Sequence, residues 1–257
     1  MDIDIQQIII AAKAGGKEIA KYFGEVLELE EKSMASDFRT KADTEAEKAI
    51  LTVLQEAFPD FNIYSEEVGK IDKKSDYTFV IDPLDGSNNF ALGIPTFCVS
   101  IGLLKRNEII AGVIHHPILN HTYFAEKGKG AWLEDSRRKV NKESNMMSST
   151  IAYTYGYSAS RELQESLIHE LNKKRVKRFL QNWCPTYELC LLAAGKIEGI
   201  INNDNELYDY CAGKLIAKEA GAKVTDFDGN LEVNDKSNIF IISNGTKIHQ
   251  ELLSLIK

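Results

Sequence analysis

The run Phe79-Val80-Ile81-Asp82-Pro83-Leu84-Asp85-Gly86-Ser87-Asn88-Asn89-Phe90 decides how the rest of the chain is read. Tyr77, Phe79, Val80 and Ile81 make a short apolar block of the kind a strand buried on both faces requires. Proline has no N–H for a ladder and holds its φ fixed, so the strand is expected to stop at Asp82-Pro83. Asp85, Gly86 and Ser87 follow at once, and two carboxylates therefore leave the same strand end together. A buried strand that carries two acids into a turn bears a desolvation cost, which a cation would offset.

Composition sets the wider frame. A chain of 257 residues has room for one large domain or two lobes sharing an interface. With 44% apolar and 27% charged residues it reads as an ordinary soluble protein. A formal charge of −7 argues against a general nucleic-acid surface, and no apolar run approaches a membrane span. Neither nucleic acid nor membrane is expected as a partner. The basic run 173–178 reads as a solvated helix end or loop. Cys98, Cys184, Cys190 and Cys211 lack metal or CxxC spacing and read as small buried hydrophobes, with Cys184 either lining a pocket or packing inertly. Asp2 and Asp4 do not suit a secretory leader, so a reducing cytoplasm is the expected compartment.

Helical periodicity covers 5–23, through Ile5, Ile8, Ile9, Ala12, Ile19 and Phe23. Residues 24–39 are mixed and charged, a hairpin or mobile loop. Thr44-x-x-Glu47 offers a capping box for a helix that ends before Pro59, with Asp43 at its entrance. Asn62–Ser65 is a short strand followed by Glu66-Glu67, and 70–76 reads as polar loop. Strands at 97–104, 108–115 and 121–126 form an antiparallel meander turning at 128–130 toward 131–133. The polar stretch 140–149 is the expected lobe boundary, dividing 1–145 from 146–257. Beyond it strand and helix alternate to the end, which predicts a mixed or partly parallel sheet. Asp209 opens a helix closed by Gly221. Oxygen donors without histidine favour hard cations such as Mg²⁺.

Phe79-Val80-Ile81-Asp82-Pro83-Leu84-Asp85-Gly86-Ser87-x-x-Phe90 closely resembles the first signature of the inositol monophosphatase family of Mg²⁺-dependent, lithium-sensitive phosphomonoesterases. Tyr208-Asp209-Tyr210-Cys211-Ala212-Gly213 through Gly221-Ala222 resembles the second, Glu66-Glu67 matches the paired glutamates upstream, and Asp37-x-x-Thr40-x-x-Asp43 matches the acid-threonine-acid pattern. The resemblance spans nearly the whole chain in order. It implies a layered αβαβα sandwich of the sugar-phosphatase type (α/β or α+β) in two lobes, commonly a homodimer. It also implies two to three Mg²⁺ ions, replaceable by Mn²⁺, with Li⁺ inhibitory. Glu66, Asp82 and the Leu84 carbonyl would hold one ion, and Asp82, Asp85 and Asp209 a second. Ser87, in the place of the usual threonine, would orient the attacking water, supported by Thr40 and Asp43, while Glu67 would steady Glu66. Gly86 and Ser87 N–H groups would take phosphate oxygens.

The sequence departs from the family pattern in places. Trp183-Cys184-Pro185 occupies the small-residue entrance to the helix beside the phosphate, so one N–H donor is missing and Cys184 becomes a candidate substrate contact. Asn202 stands where inositol-cleaving members carry a glutamate, with Asp204 and Glu206 as possible substitutes, and Asp209 completes the candidate substrate set. Leu92 and Tyr208 are smaller departures. His115-His116 reads as turn or surface, Trp132 and Trp183 as packing, and Lys32 as either a surface lysine or a site neighbour. The expected function is hydrolysis of a small sugar or polyol phosphate by metal-activated water. Fructose 1,6-bisphosphatase or 3′-phosphoadenosine 5′-phosphate nucleotidase activity are the alternatives, and a binding protein with secondary phosphatase activity is a further one.

Overall fold

The structure is a computed structural model that describes residues 3–25, 30–31, 38–232 and 234–256. Helix α1 (Ile5–Tyr22) starts at Asp4, whose side chain accepts the Gln6 N–H at 3.0 Å. Strands β1 (Glu30–Glu31) and β2 (Phe38–Arg39) pair antiparallel, so the hairpin reading of 24–39 holds for these ends. Lys32 and Asp37 lie outside the described residues. Helix α2 (Lys41–Ala57) begins earlier than the expected box at Thr44. Thr40 is its cap: its hydroxyl accepts the Ala42 N–H, and Asp43 reaches back to the Thr40 N–H at 2.8 Å. Glu47 instead accepts from Ser65 Oγ at 2.5 Å and Val68 N at 3.0 Å, bracing the turn that carries Glu66 and Glu67.

The first sheet contains β3 (Asn62–Ser65), β4 (Gly69–Ile71), β5 (Tyr77–Asp85), β6 (Cys98–Lys105), β7 (Glu108–His116), β8 (His121–Glu126), β9 (Ala131–Leu133) and β10 (Ser136–Arg138), in spatial order β10-β9-β8-β7-β6-β5-β3-β4. Three features differ from expectation. The polar stretch after Gly69 is partly strand, because Gly69–Ile71 folds back on Ser65–Ile63. Strand β3 runs parallel to β5, so the sheet is not antiparallel throughout. Strand β5 continues past Pro83 to Asp85, with a register shift between Asp82 and Asp85 that removes the need for a proline N–H.

A short helix α3 (Ser87–Ala91) follows β5 directly. Then come β11 (Thr150–Tyr155), α4 (Arg161–Lys173), β12 (Arg178–Leu180), α5 (Pro185–Ala193), β13 (Gly199–Asn203), α6 (Leu207–Glu219), β14 (Lys223–Thr225), β15 (Ile239–Ser243) and α7 (Lys247–Ile256). The second sheet is mixed, as expected: β12-β11-β13 are parallel and β13-β15-β14 antiparallel.

Three apolar clusters define five layers. Phe79 and Ile81 face α1 and α2, whereas Val80 faces the cluster shared with α5 and α6, so β5 is buried on both sides. That shared cluster also takes in Ile200 and Ile242 from one face of the second sheet. Ile201 and Ile241, on the other face, pack with Leu167 of α4 and Leu252 of α7. The order is thus αβαβα. Helix α6 lies directly on the first sheet at two glycines, where a Cβ on Gly102 or Gly112 would fall 2.3 Å from Cys211 Sγ or 2.7 Å from the Ala212 carbonyl oxygen. This close approach carries the start of α6 to the end of β5. Among the described residues, no helix is long and apolar enough to cross a membrane.

Candidate active site

Asp82 and Asp85 end β5, and Asp209 stands in the first turn of α6. The fold brings their carboxylates together, with one oxygen from each lying within 4.8 Å of the others. Asp82 and Asp85 are only 2% and 5% exposed. Glu66 joins them from the turn after β3: its N–H donates to the Ile81 carbonyl at 3.1 Å, and its side chain hydrogen-bonds Asp82.

Each acid of the cluster has one oxygen occupied by the protein itself. Asp82 Oδ1 accepts the Leu84 N–H at 2.9 Å. Asp209 Oδ2 accepts the Glu206 N–H at 2.9 Å, the returning half of a capping box. Asp85 Oδ2 accepts the Thr186 N–H at 2.9 Å, a short bond from Thr186 Oγ1, and Cys184 Sγ at 3.2 Å. Asp43 repeats the pattern beside the cluster. Its Oδ2 caps α2 through Thr40, and its Oδ1 lies 3.4 Å from Ser87 Oγ. The Ser87 hydroxyl also donates to the Leu84 carbonyl at 2.9 Å.

Electrostatically the cluster is uncompensated. Burial, reinforced by Glu66 and neighbouring acids, raises Asp82 well above the usual carboxylate range. Burial and then Asp85 do the same to Asp209. Burial also pushes Asp85 up to about 6 against the lowering bonds from Thr186, and Asp43 to about 6 against those from Thr40. Among the described residues, no Lys or Arg pairs with Asp82, Asp85 or Asp209. Buried like charges without a partner fit a divalent cation, and an all-oxygen donor set fits a hard one. Asp82, Asp85 and Asp209, with Glu66 beside them, could hold it.

Gly86 links this cluster to α3. Its φ of 92° suits glycine, and a Cβ there would lie 2.8 Å from the Thr96 carbonyl oxygen. The first N–H groups of α3 follow at the same corner.

A family model described as "Inositol monophosphatase family" matches residues 4–257, essentially the whole chain. The chain belongs to the inositol monophosphatase family. It is therefore a phosphatase of that family. A Thermotoga maritima relative named "Fructose-1,6-bisphosphatase/inositol-1-monophosphatase" is 34% identical over 91% of this chain and 88% of its own. A Haemophilus influenzae relative named "Nus factor SuhB" is 32% identical over 97% and 94%. Among solved structures, the extragenic suppressor protein SuhB of Bartonella henselae superposes with a TM-score of 0.91 at 32% identity, covering 98% of both chains.

Around the cluster, this inositol monophosphatase-family chain has its own arrangement. Cys184 is fully buried and faces Asp85. Asn202 is 1% exposed, its amide donating to the Asn238 carbonyl and its Oδ1 accepting from Thr154 and Asn205. These bonds tie it into the wall formed by 202–205 and 238, and none joins it to the carboxylates. Trp183 does not pack as expected: it is 55% exposed, on a backbone with φ of 54°. The surface reading of His115 and His116 is also overturned. The strand end is roofed by α1 at Gly16, His115 meets Thr122 Oγ1 at 3.1 Å, and His116 lies against Tyr187. Burial lowers the pKa of both histidines, His115 to about 4.

Two contributors escape a reading of local pattern. Asn89 staples the loop after α3 to the segment before α5, donating to the Thr96 and Asn182 carbonyls at 2.8 and 2.6 Å. Thr186 holds Asp85 from 101 residues away. Its signal is a Pro at N1 followed by Thr, since the first N–H available in that turn is then that of Thr186.

Proposed function

We propose that this chain is a Mg²⁺-dependent phosphomonoesterase of a small, inositol monophosphate-like sugar or polyol phosphate. The observation that supports it most is the cluster of the buried Asp82 and Asp85 with the half-buried Asp209, which has oxygen donors and no basic partner among the described residues. In this reading Glu66, Asp82, Asp85, Asp209 and the Leu84 carbonyl would hold two to three ions, with Mn²⁺ an acceptable substitute and Li⁺ inhibitory. When bound, Mg²⁺ lowers the pKa of a water and draws charge from the phosphoryl oxygens.

The chain's own groups do the rest. Asp43, fixed by Thr40, keeps an oxygen toward Ser87, so Ser87 Oγ can accept a hydrogen bond from the attacking water and, as that water gives up its proton to Oγ, pass its own hydroxyl proton to Asp43 Oδ1. The N–H groups of Gly86 and Ser87 take phosphate oxygens at the start of α3. Glu67 steadies Glu66, and Glu47 braces the turn bearing both. Cys184 borders the site, and Asn202 shapes its wall from behind rather than replacing the glutamate of inositol-cleaving relatives.

The naming of the Thermotoga relative favours fructose 1,6-bisphosphate as the second candidate. The other parts of the proposal are a homodimer, a reducing cytoplasm consistent with four free cysteines, and two lobes divided near 145. The test is phosphate release from a panel that includes inositol 1-phosphate, fructose 1,6-bisphosphate and 3′-phosphoadenosine 5′-phosphate, with and without Mg²⁺. Mg²⁺-dependent release from the first two is expected. Failure on every monoester at saturating Mg²⁺ would overturn the reading in favour of a binding role.

A further inference from the structure

Helix α5 begins Pro185-Thr186, and Pro185 has no N–H to offer a ligand. The next N–H belongs to Thr186, and it is spent on Asp85 Oδ2 together with the Thr186 hydroxyl and Cys184 Sγ. Three donors converge on one oxygen of one carboxylate, and Thr186 and Cys184 are fully buried, so no water competes for them. Asp85 offers one carboxylate oxygen to the cluster with Asp82 and Asp209, and Oδ1 is the one these donors leave open. A carboxylate free to rotate could present either oxygen or both to a cation. One whose Oδ2 is saturated can present only Oδ1.

We propose that Thr186, assisted by Cys184, is a positioning residue that fixes Asp85 as a single-oxygen ligand, so that the start of α5 serves the acidic cluster rather than the substrate phosphate. This rests on the metal-dependent reading of the site. It carries a consequence for ion choice. Mg²⁺ demands near-octahedral coordination by single oxygens, whereas Ca²⁺ accepts two oxygens of one carboxylate in a looser shell. Holding Asp85 to one oxygen favours the smaller ion.

The experiment is calorimetric titration of the EDTA-stripped full chain with Mg²⁺ and, separately, Ca²⁺, without substrate. Thr186→Val keeps the N–H and the branched shape but removes the hydroxyl. It is expected to weaken Mg²⁺ binding by roughly 10–100-fold, the usual effect of losing a partner that orients a metal ligand. Ca²⁺ should weaken less, so the Mg²⁺:Ca²⁺ affinity ratio falls, and Thr186→Ser should recover most of it. A purely structural bond would lower the melting temperature and leave the ratio unchanged, which overturns the proposal. So would unchanged metal binding with a raised KM at saturating Mg²⁺, because Thr186 would then face the substrate. If Thr186→Val does not fold, Cys184→Ala removes the third donor and should shift the same ratio in the same direction. A parent chain that binds neither ion would instead defeat the underlying metal-dependent function, an outcome visible before any variant is made.

Discussion

Helix α6 takes part in two groups of buried and half-buried charge, and they are opposites. At its first turn Asp209 meets Asp82 and Asp85, all of one sign. Further along, Lys214 is fully buried in an ion pair with Glu232, donates to the Ser237 carbonyl at 2.9 Å, and lies 4.0 Å from the centre of the Phe240 ring. Lys218 and Asp235 add a second pair at 2.6 Å, and Asp235 also accepts the Ile109 N–H at 2.9 Å. The second group closes its own charge and ties Glu232 and the segment 234–237 to α6 and β7. The first does not. Since ionised groups are rarely buried without a partner, the open group is the one arranged for a ligand from outside the chain.

Removing a charge from each group tests that contrast most severely. Asp85→Asn is expected to cost at least about 10²–10³-fold in kcat, the scale of losing one preorganised electrostatic partner. The metal-free melting temperature should hold or rise, because a like charge has gone. Lys214→Met should do the reverse, destabilising by about 3–5 kcal/mol because Glu232 is left buried alone. Its activity per folded molecule should be mostly retained. Chemical denaturation and steady-state rates on both variants read the two effects separately. A Lys214→Met protein as inactive as Asp85→Asn, with unchanged stability, would erase the distinction.

Acidity sharpens it further. In the metal-free protein Asp43 and Asp85 titrate at about 6, raised chiefly by burial, while unfolded carboxylates titrate near 4. The unfolded chain therefore releases these protons first. The stability these groups contribute is complete below about pH 4 and is lost as pH rises to about 6, by about 3 kcal/mol for each shifted group. A bound divalent cation reverses the loss by favouring the ionised form. Mg²⁺ should raise the melting temperature more at pH 8 than at pH 5 in EDTA-controlled calorimetry. Equal shifts at both values would mean that the ion binds elsewhere.

Much of the open group is visible in the sequence, and the closed one hardly at all. Asp82 and Asp85 announce themselves because an apolar run stops on them, and Asp209 because it opens a helix with a glycine stop. Their convergence is another matter: it depends on Gly102 and Gly112 admitting α6 against the sheet, a contact without local periodicity. The resemblance of two distant signatures supplied that link. The cap of α2 lies one turn before the box expected at Thr44. Thr40-Asp43 prevailed over Thr44-Glu47 because Glu47 is needed by Ser65 and the backbone of Val68. The histidine pair is buried rather than at the surface because α1 covers a strand end that looks exposed in sequence. Lys214 sits in an apolar helix pattern, and its partner Glu232 lies in a loop whose position only the fold determines.

Glu188 stands between the two groups in character and gives the smallest expected effect. It lies on α5, buried to 1% exposure, with Oε1 accepting the Asn182 N–H at 3.0 Å and Oε2 without a hydrogen-bond partner among the described residues. Burial, with a lesser contribution from Asp85, raises its pKa to about 8, so at neutral pH it is largely a neutral acid. Folding then holds a proton that the unfolded chain gives up above about pH 4.5, and stability falls as pH rises from there toward 8. Glu188→Gln keeps the acceptor for Asn182 and removes the titration. Its amide adds donors of its own to a closed space, which offsets part of the gain, so a net stabilisation of about 1 kcal/mol at pH 7 is expected. The stronger readout is the slope. Relative to the parent the variant should gain stability steadily between pH 5 and 8 in denaturant titrations, and with Mg²⁺ saturating the gain should persist, because Glu188 hydrogen-bonds Asn182 rather than the carboxylates of the cluster. A difference that vanishes on adding Mg²⁺ would place Glu188 inside the open group and move its boundary one helical turn into α5.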